Sequence, residues 1–210
     1  MDNESAVFTD VFSGIYRNSL WGNGSGSGSQ IENAFTVVGW MQYFIVKNKI
    51  TSIIDCGCGD WQWMQFVSLS NINYLGLDCV PEVIEKNRIQ FGKSNILFEV
   101  ADATQFSQTA DLVIFKDVLQ HLPNKSVKKA MDNALNNAKY VCVINGISGI
   151  SSDGQPLKEN TDIKVGDYRP LNLTVNPFNY VGNVFLEYKP NDQETSKRIE
   201  IFSTLKKKTD

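Results

Sequence analysis

The segment Ile53-Ile54-Asp55-Cys56-Gly57-Cys58-Gly59-Asp60-Trp61 decides the fold. An apolar run ends in an acid, and two glycines follow at alternate positions. A strand entering such a turn can bend sharply and let a ligand approach its backbone, because glycine tolerates conformations that a side chain forbids. A dinucleotide fingerprint would need a third glycine where Gln62 stands. A carboxylate at Asp55 would also repel a pyrophosphate, so the nicotinamide-cofactor reading is weak.

Outward from this turn, apolar runs alternate with helical patterns. Strands are expected at 50–55, 73–78, 95–100, 111–116 and 139–145. Helices are expected at 31–48, 61–69, 81–91 and 124–138, with Pro81 in a first turn where its missing N–H does no harm. This alternation predicts an α/β chain with a parallel, doubly wound sheet. The last two strands, 183–188 and 198–205, have only the loop KPNDQETSK between them and should pair antiparallel at one edge. The tail KKKTD (206–210) reads as a frayed end.

The first three strands each end in an acid: Asp55, Asp78 and Asp102. In an open α/β sheet the ligand crevice lies over these ends. A carboxylate at Asp78 can accept from a ribose diol, and one at Asp102 from an adenine amino group. A single strand-end acid is usually a solubilising loop residue. Three in series, the first in a glycine turn, point to a nucleoside-containing ligand.

On these residues, 31–205 resembles the class I S-adenosylmethionine-dependent methyltransferases. The resemblance implies a Rossmann-like seven-stranded sheet, mostly parallel with an antiparallel C-terminal strand. It implies S-adenosyl-L-methionine as cofactor and S-adenosyl-L-homocysteine as product. Asp55, Gly57 and Gly59 would line the methionine and sulfonium end, Asp78 the ribose, and Asp102 with Ala103 the adenine. Asp60-Trp61 departs from members that carry another glycine there, so Trp61 or Trp63 would wall the pocket. The arm 1–30 would fold over the cofactor through Tyr16 and Ser25–Ser29, with Arg17 meeting the methionine carboxylate by its fork geometry; the bland alternative is a mobile leader. The stretches FSGIYRNSLWG, SGSGS, DCGCGDWQWM, FKDVLQHLP and NTDIKVGDYRPLNLTVNPF carry a finer resemblance. They resemble short methyltransferases of glycan assembly, some fused to glycosyltransferases and including those of large algal DNA viruses, which methylate terminal rhamnose.

Methyl transfer needs an aligned nucleophile and, for a sugar hydroxyl, a general base. The fourth strand runs into Phe115-Lys116-Asp117-Val118-Leu119-Gln120-His121. His121 is the sole histidine, and histidine is the commonest base near neutral pH. Asp117 lies four residues earlier and would share a helical face with it. The base is His121, or Asp117, or neither, with His121 then only fixing its loop. The polar stretch 146–180 is read as the acceptor loop, and Asn160, Asp162, Tyr168, Arg169 and Asn172 as acceptor-binding groups suited to a sugar or oligosaccharide. The alternative is a packed loop in which Asp162 and Arg169 pair with each other.

Composition limits the partners. The chain of 210 residues has net charge −3, 42% hydrophobic and 20% charged residues, so it should form a folded domain with no nucleic-acid footprint. Lys116-Asp117-Val118-Leu119 also stands where nucleic-acid methyltransferases carry Asn-Pro-Pro-aromatic. No apolar run spans a membrane, and the polar N-terminus is no signal peptide. The four cysteines and single histidine do not suit zinc, no carboxylate trio compels another metal, and reduced thiols fit a cytoplasmic protein. The expected organisation is an arm at 1–30 and one domain at 31–210. The leading function is an O-methyltransferase of a sugar or glycan, associated with or fused to glycosyltransferase domains. A small-metabolite O- or N-methyltransferase and an inactive cofactor-binding module are the alternatives.

Overall fold

The computed structural model describes residues 3–191 and 195–204. The elements in chain order are α1 (Asn3–Arg17), α2 (Ile31–Asn48), β1 (Ser52–Cys56), β2 (Asn73–Asp78), α3 (Pro81–Phe91), β3 (Ile96–Val100), β4 (Ala110–Lys116), α4 (Asn124–Asn137), β5 (Ala138–Gly146), β6 (Gly182–Tyr188) and β7 (Lys197–Ser203). Leu205 and the tail 206–210 lie outside the described residues.

Among the described residues the strands form one seven-stranded sheet in the order β3-β2-β1-β4-β5-β7-β6. β1 to β5 run parallel, and β7 runs antiparallel to both β5 and β6. The chain builds outward from β1 to β3, then returns to lay β4 on the other side of β1. The adjacent C-terminal ends of β1 and β4 are therefore the topological switch point, where open α/β sheets bind ligands.

Both faces are covered. On one face, Ala34, Val37, Met41 and Phe44 of α2 meet Ile53, Ile114, Ile144, Ile199 and Ile201 of the sheet. On the other, Val127, Ala130, Met131 and Ala134 of α4 pack with Val113, Phe115, Val141 and Val143. Strand β4 is buried on both sides, which is why its sequence reads as a continuous apolar run. Burial of each such large side chain stabilises the fold by about 1.5–3 kcal/mol.

One crossover differs from the expected pattern. Residues 61–69 do not form a helix; only the 3-10 turn Met64–Phe66 is regular. Trp61, Trp63, Met64, Val67 and Leu69 are all buried, a set too widely spread around a helix to form one apolar stripe. Trp61 itself has a left-handed backbone, φ 61°. The β3–β4 connection also crosses without an α-helix and is anchored by buried Phe106.

The 146–180 segment is a packed loop. Leu171, Leu173 and Phe178 enter the α4-side core. The glycine- and serine-rich stretch after α1 is fixed as well: Asn33 Nδ2 donates to the Ser27 carbonyl at 3.0 Å, and Lys116 Nζ donates to the Gly28 carbonyl at 2.8 Å. Among the described residues no helix is long and apolar enough to cross a membrane.

Candidate active site

A cleft of about 790 Å³ opens over the switch point. Its base is the glycine turn. Gly57 and Gly59 have φ of 76° and 53°, and the Gly57 and Cys58 N–H groups both donate to the Leu77 carbonyl. A Cβ at Gly57 would overlap Val118, and one at Gly59 would overlap the Ser25 hydroxyl. Only glycine fits either position.

The ends of β2 and β3 supply acids to the same cleft. Asp78 accepts from the Gly59 N–H and the Val80 N–H, each at 3.0 Å. Burial raises its pKa to about 6, against the lowering effect of these backbone bonds. Asp102 accepts from the Thr104 N–H and from the Ser5 hydroxyl, each at 2.7 Å. Each carboxylate oxygen keeps acceptor capacity beyond the one bond it holds here. Asp78, Asp102, Ala103, Gly57 and Gly59 thus converge on one cavity, together with Trp63.

Helix α1 lies over it. Phe8, Phe12 and Tyr16 line the cleft from α1, and Trp21 from the turn that follows. The helix start is held by Ser5 on Asp102 and by Glu4, which accepts from the Ser126 hydroxyl at 2.7 Å and from Lys129 at 2.5 Å. Its end is held by Tyr16, whose hydroxyl lies 2.7 Å from Ser25 Oγ, while Ser25 Oγ accepts from the Asp60 N–H at 2.9 Å.

Three expected cofactor residues sit elsewhere. Asp55 is 1% exposed beneath the turn and accepts from the Tyr74 hydroxyl at 2.8 Å; burial raises its pKa to about 7. It does not line the cleft. Trp61 packs among Tyr74, Phe91 and Phe98, so Trp63 is the indole that walls the cleft. Arg17 is exposed, and its Nε donates to the Ser13 carbonyl of its own helix at 3.3 Å.

At the end of β4 the backbone turns left-handed at Asp117, φ 59°. The Asp117 carboxylate accepts from Lys116 Nζ at 2.8 Å, Lys197 Nζ at 2.6 Å and Gln120 Nε2 at 3.3 Å. Burial opposes its charge, but the two ammonium groups outweigh that and hold its pKa far below the usual carboxylate range. It is a poor proton acceptor.

His121 closes a 3-10 turn, Leu119–His121. Because this turn is not α-helical and Asp117 is left-handed, the two side chains do not share a face as expected. Gln120 stands between them: its Oε1 accepts from the Gly146 N–H at 2.7 Å, and its Nε2 lies 3.4 Å from His121 Nε2. His121 Nδ1 faces the Asp167 carbonyl at 2.9 Å. That partner only accepts, so Nδ1 carries the proton and Nε2 keeps its lone pair. Burial pushes the imidazole pKa below its ordinary value, so it is neutral at pH 7.

A second, outer pocket of about 1010 Å³ shares Trp21, Ser25, Asp117 and His121 with the cleft. The two cavities meet at His121, whose ring contacts Trp21 and Tyr168 at centroid distances of 5.0 and 5.9 Å.

Of the expected acceptor residues, Tyr168 lines this pocket. The others serve the loop itself. Arg169 is 1% exposed and donates to the Leu119 and Leu122 carbonyls, each at 2.9 Å, and to Asn124 Oδ1 at 3.1 Å. Asp162 caps α4 by accepting from the Asn124 N–H at 2.7 Å, and forms no ion pair with Arg169. Asn160 bridges the Asn172 and Asn176 carbonyls, and Asn172 accepts from Thr174. Lys116, Gln120 and Lys197 were not expected at the site. Lys116 left a trace in the sequence, since a lysine closing a buried apolar strand needs a partner. Lys197 arrives from β7, and nothing local marks it. Among the described residues no cluster of three or more His, Cys, Asp or Glu could hold a metal ion.

Comparisons with known proteins agree with this geometry. Solved structures share the fold at low identity. Magnesium protoporphyrin IX methyltransferase from Synechocystis PCC 6803 with bound SAM is 14% identical, covers 96% of this chain and 97% of its own, and has a TM-score of 0.60. The N-terminal domain of EvdMO1, in the presence of SAH and D-fucose, is 14% identical over 97% of each chain, with a TM-score of 0.58. The N-methyltransferase NodS from Bradyrhizobium japonicum WM9, in complex with SAH, is 13% identical over 83% of this chain and 88% of its own, with a TM-score of 0.58. No curated protein sequence matches the chain. The methyltransferase domain profile matches residues 47–167, more than half of the chain and all of strands β1 to β5, so the chain belongs to the methyltransferase domain family and is an S-adenosylmethionine-dependent methyltransferase.

Proposed function

We propose that the chain is an O-methyltransferase that modifies a hydroxyl of a sugar, terminal rhamnose on a glycan being the first candidate, with His121 as general base. The observation that carries this reading is the position of His121 where the cofactor cleft and the outer pocket meet, with Nε2 unprotonated and only the Gln120 amide, at 3.4 Å, to displace among the described residues.

The cleft suits the cofactor. Asp78 would hold the ribose, Asp102 and Ala103 the adenine, and the Gly57–Gly59 turn the close-packed backbone contact. Lys116 lines the cleft, with its Nζ held by the Asp117 carboxylate and the Gly28 carbonyl. S-adenosylmethionine supplies an activated methyl group.

The chain's own residues supply the rest. His121 Nε2 takes the hydroxyl proton as the acceptor oxygen becomes a nucleophile, worth about 10²–10⁴-fold in rate. The imidazole then gains charge. The Asp167 carbonyl on Nδ1–H and the ionised Asp117 nearby both favour the charged ring. Trp21 and Tyr168 bring aromatic rings beside the imidazole in the outer pocket, which suits the apolar faces of a sugar ring. The arm 1–30 acts as the lid that excludes water. The EvdMO1 neighbour, studied in the presence of a sugar, supports a sugar acceptor on this fold.

The test is direct. Purified protein is incubated with labelled S-adenosylmethionine and a panel of rhamnosides, small phenols and amines, and the products are read by mass spectrometry. Label on a rhamnoside supports the reading. Label on an amine alone would replace it by the N-methyltransferase alternative, and cofactor binding with no transfer would favour the inactive module.

A further inference from the structure

We infer that the acceptor carries an anionic group, a carboxylate or a phosphate, and that Lys197 receives it in the outer pocket beside His121. This rests on the outer pocket being the acceptor site.

Lys197 lines that pocket and is 4% exposed. Among the described residues its Nζ makes one hydrogen bond, to Asp117 Oδ2 at 2.6 Å. The same carboxylate oxygen accepts from Lys116 Nζ at 2.8 Å. Two buried ammonium groups therefore share one carboxylate, and among the described residues one positive charge is left without a counter-charge. Lys116 spends a second bond on the Gly28 carbonyl and faces the cofactor cleft. Lys197 faces the outer pocket, with N–H donors to spare, since an ammonium has three.

The surroundings add to the excess. Asp117 is the only acid among the described residues that line the outer pocket. Arg169, buried behind His121, has no carboxylate within ion-pair distance among the described residues. Its charge is met by carbonyls, and its Nε has no partner. Buried charges are as a rule paired. A neutral sugar would leave this excess unmet, whereas an acidic sugar or a sugar phosphate would complete it. The anion would also place the reacting hydroxyl, because a charged anchor beside His121 limits the orientations open to the ring.

The experiment compares three acceptors with the wild-type enzyme: a neutral methyl rhamnoside, a methyl glucuronide and a nucleoside-diphosphate rhamnose. The expected result is a KM at least about tenfold lower for one charged acceptor, the size of one charge-assisted hydrogen bond. Which charged acceptor gains decides between carboxylate and phosphate. Free glucuronate or inorganic pyrophosphate should compete with the acceptor and not with S-adenosylmethionine. Lys197→Met should raise the KM of the charged acceptor about tenfold or more relative to that of the neutral one in the same variant. Lys197→Arg should restore it. If Lys197→Met does not fold, a rise in the charged acceptor's KM with added salt, absent for the neutral one, gives the same answer. Preference for the neutral rhamnoside with no anion competition would overturn the inference and leave the sugar reading standing. Methylation of an acidic non-sugar and of no sugar would keep the anion site and remove the sugar reading.

Discussion

Replacing Gly59 by alanine separates the arm's contribution to binding from the stability of the fold. Gly59 has φ 53°, and a Cβ there would overlap Ser25 Oγ and press on the Tyr16 hydroxyl. Two effects follow. The left-handed backbone costs an alanine about 1–2 kcal/mol in free and bound protein alike. For a domain of this size that lowers Tm by about 2–8 °C. The overlap is relieved only if Ser25 moves, and this breaks its bonds to Tyr16 and to the Asp60 N–H. At about 1 kcal/mol each, closure of the arm over a ligand loses about 2 kcal/mol, or roughly 30-fold in Kd. Calorimetric titration with S-adenosylhomocysteine reads this directly. In a Ser25→Gly background, where both bonds are already gone, the same Gly59→Ala change should add little further loss. A Gly59→Ala protein that binds within about threefold of wild type would refute the arm's role as a lid.

Further outcomes follow from the site. His121→Ala should lower kcat by about 10²–10⁴-fold and leave S-adenosylhomocysteine affinity unchanged; near-wild-type turnover would place the base elsewhere. The base works neutral, and burial lowers its pKa from 6.5, so kcat should rise with pH through a midpoint below 6.5 and stay level above it. A rising limb centred above pH 7 would contradict the assignment. Arg169→Met leaves the Leu122 carbonyl unpaired and removes one of the two bonds to the Leu119 carbonyl, and should cost about 2–4 kcal/mol and lower Tm by about 4–16 °C in scanning calorimetry. A shift under about 3 °C would mean that Arg169 is not the brace of the His121 turn.

Local chemistry was legible in the sequence, and long-range partnership was not. The glycine turn, the buried run of β4 and the strand-end acids Asp78 and Asp102 each declare themselves within a few residues, and each lies where the sequence placed it. Asp55 follows the same pattern, yet Tyr74 across the β1–β2 pair draws it beneath the turn. The 61–69 segment has apolar residues at near-helical spacing, but Trp61 and Trp63, only two residues apart, are both buried, which a one-sided helical stripe cannot do. The polar residues of the acceptor loop were misjudged for a general reason. A long loop without a helix must satisfy its own backbone, so Asn160, Asp162 and Arg169 bond to carbonyls and N–H groups before any ligand. Lys197 lies in β7, far along the chain from Asp117, and only the insertion of β7 beside β5 brings them together.

The central claim is that His121 takes a proton from a sugar hydroxyl while the methyl group is transferred to that oxygen. The most direct measurement is isotope-labelled methyl transfer from S-adenosylmethionine to a rhamnose-bearing acceptor, with the product located by NMR and the wild type compared with His121→Ala. The expected product is a labelled O-methyl group on one hydroxyl of the sugar, formed by the wild type and lost in the variant while cofactor binding persists. A label found only on nitrogen, or an O-methyl product formed equally fast without His121, would contradict it.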